Sequence, residues 1–179
     1  CTCSGSNDYL VGTPFSFVAA LDTIGAWPPI AESHVEMDAA WALYEAWTRI
    51  QHGDVDTALV YGFGKGTVGD YAGISSLSYD PYYVAPLMPG DIGMAGLQAR
   101  ALKDAGFDVD PDPAPPPPTD GAAAVILAAG DVARRVCARP AWITGIDHRI
   151  EPHSLGTRDL TRSESARQAA SPAGVGAGP

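Results

Sequence analysis

Between Met37 and about His52 apolar residues occupy almost every side of a 3.6-residue period: Met37, Ala39, Ala40, Trp41, Ala42, Leu43, Ala46, Trp47 and Ile50. A segment with so little polar face is predicted to be a helix covered on most of its circumference. Thr57-Ala58-Leu59-Val60-Tyr61-Gly62-Phe63 follows as a continuous apolar run. That pattern suits a strand covered on both faces, as in a parallel sheet. A further strand is predicted near Ala31–Val35, which makes the order strand, helix, strand and predicts a βαβ crossover.

The remaining punctuation is set by proline and glycine. Pro14 opens and Gly25 closes a predicted short helix, and Ala26-Trp27-Pro28-Pro29-Ile30 is an extended connection. Gly64 to Gly73 reads as loop, and Tyr79 to Pro86 as an irregular aromatic segment. Asp91 is predicted to cap a helix that carries Met94, Leu97, Gln98 and Leu102 on one face and ends at about Ala105, before Gly106. The run from Asp110 to Pro118 is polyproline-like and marks a spacer or boundary. Beyond it come a buried strand over Ala122–Ala128, a short helix from Asp131 to Cys137 with Cys137 in the core, and a strand over Ala141–Ile146. His148, Arg149, His153 and Arg158 read as a polar surface turn, and the Ser, Pro, Ala and Gly tail from about Ser171 has nothing to bury.

At 179 residues and 46% hydrophobic, the chain is long enough for one sizeable core. Its 11 Lys and Arg against 21 Asp and Glu give a formal net charge of -10 with no basic run, which argues against a nucleic-acid partner. No apolar stretch approaches the roughly 20 residues of a bilayer span. Three cysteines, Cys1, Cys3 and Cys137, are an odd number without metal-type spacing, so a reducing, cytoplasmic setting is expected.

The block Ser33-His34-Val35-Glu36 through the apolar helix to Gly53-Asp54 and Gly62-Phe63-Gly64 resembles the thiolase superfamily, where a nucleophilic cysteine opens a central helix and a glycine-rich turn follows the next strand. Thr119-Asp120-Gly121-Ala122-Ala123-Ala124-Val125-Ile126-Leu127-Ala128 is similar to the strand entry late in the family's N-terminal half, and Ala138-Arg139-Pro140-Ala141-Trp142-Ile143-Thr144-Gly145 to the passage into the C-terminal half. Along most of its length the chain is similar to the actinobacterial lipid-transfer protein branch, relatives of sterol-carrier-protein-X thiolase that include steroid side-chain aldolases. The resemblance implies an α/β fold with layered α/β/α architecture and a mixed, largely parallel sheet. It implies that residues 1–140, with a loop region at 66–118, belong to the N-terminal half and that 141–179 begin the C-terminal half. Because it starts inside the family's fold and stops before the Asn-Glu-x-Phe, Gly-His-Pro and second Cys-x-Gly motifs, it implies a piece incomplete at both ends. The stretch from Gly106 to Pro118 is also shorter than the family's loop region.

The position that a thiolase gives to its cysteine is Glu36 here, so the resemblance implies acyl-CoA chemistry without ordinary thiolysis. At the N-terminus of a buried helix a carboxylate is favoured by backbone N–H groups, and it would act as general base. Ser33 and Glu36 equally have the spacing of a capping box. His34 and Asp38 flank Glu36 and complete the catalytic candidates; their spacing is no recognised ligand pattern, and no metal is expected. Cys3 is read as a small residue at a strand end near the pocket, Gly62 and Gly64 as glycines of a tight turn near the reactive centre, and Lys65 as a candidate for a coenzyme A phosphate. Gly62-Phe63-Gly64-Lys65-Gly66 lacks the spacing of a nucleotide-phosphate loop.

Three functions stay open. One is retro-aldol or related carbon–carbon cleavage of a lipid or steroid acyl-CoA, with coenzyme A entering as part of the substrate and no covalently bound cofactor. The second is a non-catalytic lipid- or acyl-CoA-binding subunit, and the third a conventional acetyl-CoA acyltransferase using a relocated cysteine such as Cys3. The resemblance further implies a homodimer and an OB-fold, zinc-ribbon partner protein.

Overall fold

The computed structural model describes residues 1–25, 30–36, 38–110 and 117–171. In chain order these form β1 (Thr2–Ser6), α1 (Asp8–Val11), α2 (Val18–Leu21), β2 (Glu32–Glu36), α3 (Ala39–His52), β3 (Thr57–Lys65), α4 (Tyr71–Leu77), α5 (Gly90–Asp104), β4 (Asp120–Ala128), α6 (Gly130–Val136) and α7 (Glu164–Ala170). Met37, most of the predicted 26–30 connection, residues 111–116 of the proline-rich run and the tail beyond Ser171 lie outside the described residues.

The chain is an α/β protein. Among the described residues one mixed, mostly parallel open sheet runs in the order β2-β1-β3-β4. β1 lies parallel to both β2 and β3, and β4 closes the order antiparallel to β3. The predicted strand–helix–strand unit is present as β2-α3-β3, but its two strands are not neighbours: β1 runs between them. The central strand, Thr-Cys-Ser-Gly-Ser, carries none of the large branched residues by which strands are recognised.

Two compact units divide the chain, one formed by Cys1–Tyr71 with Pro118–Ala141, the other by Ala72–Pro117 with Trp142–Pro179. In the first, α3 packs on β1 and β3, and its contact residues are small. Cys3, Ala42, Ala46, Ala58 and Val60 form the buried cluster, with Val35, Leu43, Ile50 and Leu127 packed at its margin. The prediction that α3 is covered on most sides needs correction: only Ala42 and Ala46 are fully buried, and Trp41, Leu43, Trp47 and Ile50 are half-buried. Asp38 starts the helix by accepting hydrogen bonds from the Ala40 and Trp41 amides at 2.9 and 3.4 Å, and Gly53 ends it at φ 77.

Two glycines set how closely the helix approaches. Gly5 and Gly62 are paired across β1 and β3. A Cβ at Gly5 would stand 2.6 Å from the Asp38 carbonyl oxygen, and one at Gly62 would collide with the Ala39 methyl.

Other predictions are revised. β4 is no buried strand: most of it is exposed, with Ile126 at 76% accessibility, because it edges the sheet and only Leu127 reaches the core cluster. Cys137 ends α6 exposed and not in the core. The stretch Ala141–Ile146 forms no ladder among the described residues. Asp91 does not cap α5, which begins at Gly90; its carboxylate accepts from the Tyr79 hydroxyl instead. In the second unit, the α5 face carrying Met94, Leu97 and Gln98 lines a cavity of about 280 Å³ together with Leu155, Arg158 and Leu160.

Replacing Gly5 or Gly62 by alanine is expected to destabilise the fold by about 1–3 kcal/mol through overpacking, read as a lower denaturant midpoint. Gly64, with open space at its Cβ position, is the control that tolerates alanine better. A pH effect follows at the start of β4. The Thr67 hydroxyl, and then its amide, donate to Asp120 at 2.6 and 3.1 Å and hold that carboxyl below its ordinary range. A depressed folded-state pKa contributes stability above the unfolded value of about 3.9, and that contribution is lost as pH falls through the folded value. Asp120→Asn is therefore expected to lower the urea midpoint at neutral pH and to converge with the parent in acid.

Candidate functional site

Strand parity sorts the first unit into two faces. Cys3, Gly5, Ser33, Val35, Ala58 and Val60 turn toward α3, whereas Ser4, Ser6, His34, Glu36 and Tyr61 turn the other way. On that second face β1 and β2 set Ser4 beside His34 and Ser6 beside Glu36, and β3 sets Tyr61 beside Ser4. Ser6 and Glu36 close β1 and β2 at their C-terminal ends, the edge at which open α/β sheets place ligands.

The contacts are specific. Ser4 Oγ and His34 Nδ1 share a hydrogen bond of 2.9 Å, which fixes the ring. Phe17 stacks on the imidazole with centroids 4.3 Å apart and planes 20° from parallel. His34 Nε2 is buried, has no hydrogen-bond partner among the described residues, and lies 3.6 Å from Glu36 Oε2. Glu36 Oε1 accepts from the Asp8 amide at 2.7 Å. Asp8, just past the end of β1, accepts from the Ser16 hydroxyl at 2.6 Å and from the Ser16 and Phe15 amides at 3.0 and 2.6 Å. The Ser16 hydroxyl foremost, and then the two amides, hold the Asp8 carboxyl below its ordinary range against the opposing effect of burial. Ser16 also meets the buried Ser6 hydroxyl at 2.8 Å.

Tyr61 completes the face. Its side chain is buried and its hydroxyl has no hydrogen-bond partner among the described residues. Burial pushes the phenol pKa up, and nearby Ser4 offsets this in part although no hydrogen bond of normal geometry joins the two groups. A phenol so placed stays protonated, and among the described residues it has no hydrogen-bond acceptor.

The predicted site residues divide accordingly. His34 and Glu36 are brought together, but Glu36 ends β2 on the face away from α3, so neither the capping box with Ser33 nor the helix-terminus environment exists; Ser33 Oγ donates to Glu45 at 3.4 Å. Asp38 is the α3 cap and no member of the cluster. Cys3 is the second residue of β1 and faces Ala42 and Ala46 in the core cluster, not a pocket; burial pushes its thiol pKa up, with Arg49 partly opposing. Gly62 sits inside β3 under Ala39, and Gly64 lies in the same strand, so no tight turn occurs there. Lys65 ends β3 exposed, paired across the ladder with Asp120, on whose carboxylate its charge acts.

Ser4, Asp8, Ser16, Phe17 and Tyr61 were missed from the sequence. The one available signal was the alternation in Cys3-Ser4-Gly5-Ser6-Asn7-Asp8, which puts hydroxyls on one side of a strand and a carboxylate at its end. The burial of Cys3 also fixes a chemical expectation. Alkylation of the folded protein with iodoacetamide should modify exposed Cys137 rapidly and Cys3 only after unfolding, as mapped by peptide mass spectrometry. Rapid modification of Cys3 in the folded state would restore it as a nucleophile. Compared with protein-family models and with curated proteins, the chain matches none of them.

Proposed function

We propose that this chain is a carbon–carbon lyase acting on a β-hydroxyacyl-CoA with a bulky lipid or steroid-like acyl group. The observation that carries the reading is the Ser4–His34–Glu36 line on the face of β1 and β2 away from α3, with Tyr61, whose hydroxyl has no hydrogen-bond partner among the described residues, beside Ser4. In a retro-aldol step a base takes the β-hydroxyl proton, the Cα–Cβ bond breaks, and the electron pair moves onto the thioester as an enolate, leaving a ketone or aldehyde. His34 Nε2, oriented by Ser4 and electrostatically supported by Glu36, is the base of this reading. Tyr61 donates to the developing thioester oxyanion, a role suited to a buried phenol that burial keeps protonated. The enolate then recovers a proton at carbon and leaves as the shortened acyl-CoA.

The step needs no thiol, which suits a chain whose central cysteine is core. Three free thiols, Cys1, Cys3 and Cys137, favour the reducing cytoplasm as its compartment, and no helix among the described residues is long and apolar enough to cross a membrane. The exposed apolar edge of β4 suits the two-fold homodimer that the thiolase resemblance implies. A second reading, a non-catalytic acyl-binding subunit, draws on the cavity lined by Met94, Leu97, Leu155 and Leu160, whose walls suit an alkyl chain.

The test is release of carbonyl product from a β-hydroxyacyl-CoA by the intact protein and by His34→Ala, Glu36→Gln and Tyr61→Phe. Loss of about a hundredfold or more in kcat for His34→Ala, with circular dichroism unchanged, is the expected result. Absence of turnover by the parent combined with acyl-CoA binding transfers the assignment to the acyl-binding reading.

A further inference from the structure

We infer that Asp8, His34 and Glu36 form a binding site for a divalent transition-metal cation of the zinc class. Each residue presents one ligand atom, and the three atoms lie within 4.8 Å of one another. His34 and Glu36 stand at i and i+2 on one face of β2, and Asp8 opens α1 just past the end of the neighbouring β1, so strand alternation supplies two of the ligands and strand pairing brings up the third.

The separation of His34 Nε2 from Glu36 Oε2 is informative. At 3.6 Å it is too long for a hydrogen bond. A tetrahedral zinc ion with bonds of roughly 2.0–2.1 Å sets its ligand atoms roughly 3.3 Å apart, so a small contraction converts this gap into the edge of a coordination shell. Nε2 is also buried and has no hydrogen-bond partner among the described residues, and in the tautomer in which Nδ1 donates to Ser4 Oγ its lone pair faces the Glu36 carboxylate. Such an arrangement is repulsive until a cation stands between them.

The surroundings are those of supported ligands. Ser4 fixes the imidazole ring, the Ser16 hydroxyl and amide and the Phe15 amide hold the Asp8 carboxylate, and the Asp8 amide holds Glu36 Oε1. Partners of this kind orient ligands and tune their basicity. An imidazole with two carboxylates favours zinc, cobalt, manganese or iron over magnesium and calcium, which take oxygen donors. Three protein ligands leave a position open to solvent or a substrate oxygen. Tyr61, paired with Ser4 across β1 and β3, adds a buried hydroxyl on the same face that has no hydrogen-bond partner among the described residues.

The rival occupant is a proton, which would make His34 an imidazolium between carboxylates. Titration of the EDTA-treated intact protein with Co2+ separates the two without any substrate; an ion bound at Nε2 takes the lone pair that the lyase reading gives to the base, whereas absence of binding leaves that reading standing. One equivalent of Co2+ per chain, with visible absorption of low-coordinate cobalt, displacement by Zn2+ and indifference to excess Mg2+, is expected. His34→Ala and Glu36→Gln should each weaken Co2+ binding by tenfold or more, and Ser4→Ala, which removes only the orienting hydroxyl, by about 10–100-fold. Circular dichroism of each variant checks that it folds. Absence of Co2+ binding to the parent, or binding that persists unchanged in both folded His34→Ala and Glu36→Gln proteins, overturns the site.

Discussion

The close seating of α3 on β1 and β3 is the constraint on which the first unit rests. Gly5 and Gly62, side by side in neighbouring strands, remove the two Cβ atoms that would meet Asp38 and Ala39. Cys3, Ala42, Ala46 and Ala58 continue the same economy of volume along the interface. A core of such small residues gains little from any one side chain. Its stability comes from many backbone-distance contacts, which is why an added methyl is felt where it has no room.

That seating also decides where chemistry is possible. With one face of the sheet closed by α3, the alternate residues of β1, β2 and β3 emerge on the other. There Ser4, Ser6, Tyr61, His34 and Glu36 form a polar surface that α1 and the turn before α2 partly cover through Asp8, Ser16 and Phe17. Burying polar groups is costly unless they are paired, and most here are paired. The exceptions among the described residues of this face, the Thr2 hydroxyl, His34 Nε2 and Tyr61 Oη, give it its capacity for a ligand. An enzyme that moves protons and a site that holds a cation need the same thing at this place: an imidazole held at Nδ1 and open at Nε2, beside carboxylates fixed by backbone amides.

The thiol-based alternatives lose their support from the same geometry. Cys3 is sequestered by α3, and burial raises its pKa, the reverse of what a nucleophilic thiolate requires. The Glu36 carboxylate is separated from α3 by the parity of β2 and by the two residues before the helix, of which Asp38 is the cap.

The order β2-α3-β3, the glycine ends of α3 and α5, and the membership of the chain in the α/β class were legible in the sequence, because apolar periodicity and turn residues act over a few neighbours and read the same in any context. The central position of β1 was not, since Thr-Cys-Ser-Gly-Ser has no strand signature and becomes a strand only between two parallel partners. Nor was the exposure of β4, whose Ala-Ala-Ala-Val-Ile-Leu pattern states that it is apolar and is silent about what covers it. His34 and Glu36 stood out by type, but Asp8, 28 residues from Glu36, joins them only through strand pairing. Local pattern determined the helices α3 and α5 and the strands β2, β3 and β4. The assembled sheet alone decided which face each side chain took and therefore which charges met, because register and parity are long-range properties that no short stretch of chain contains.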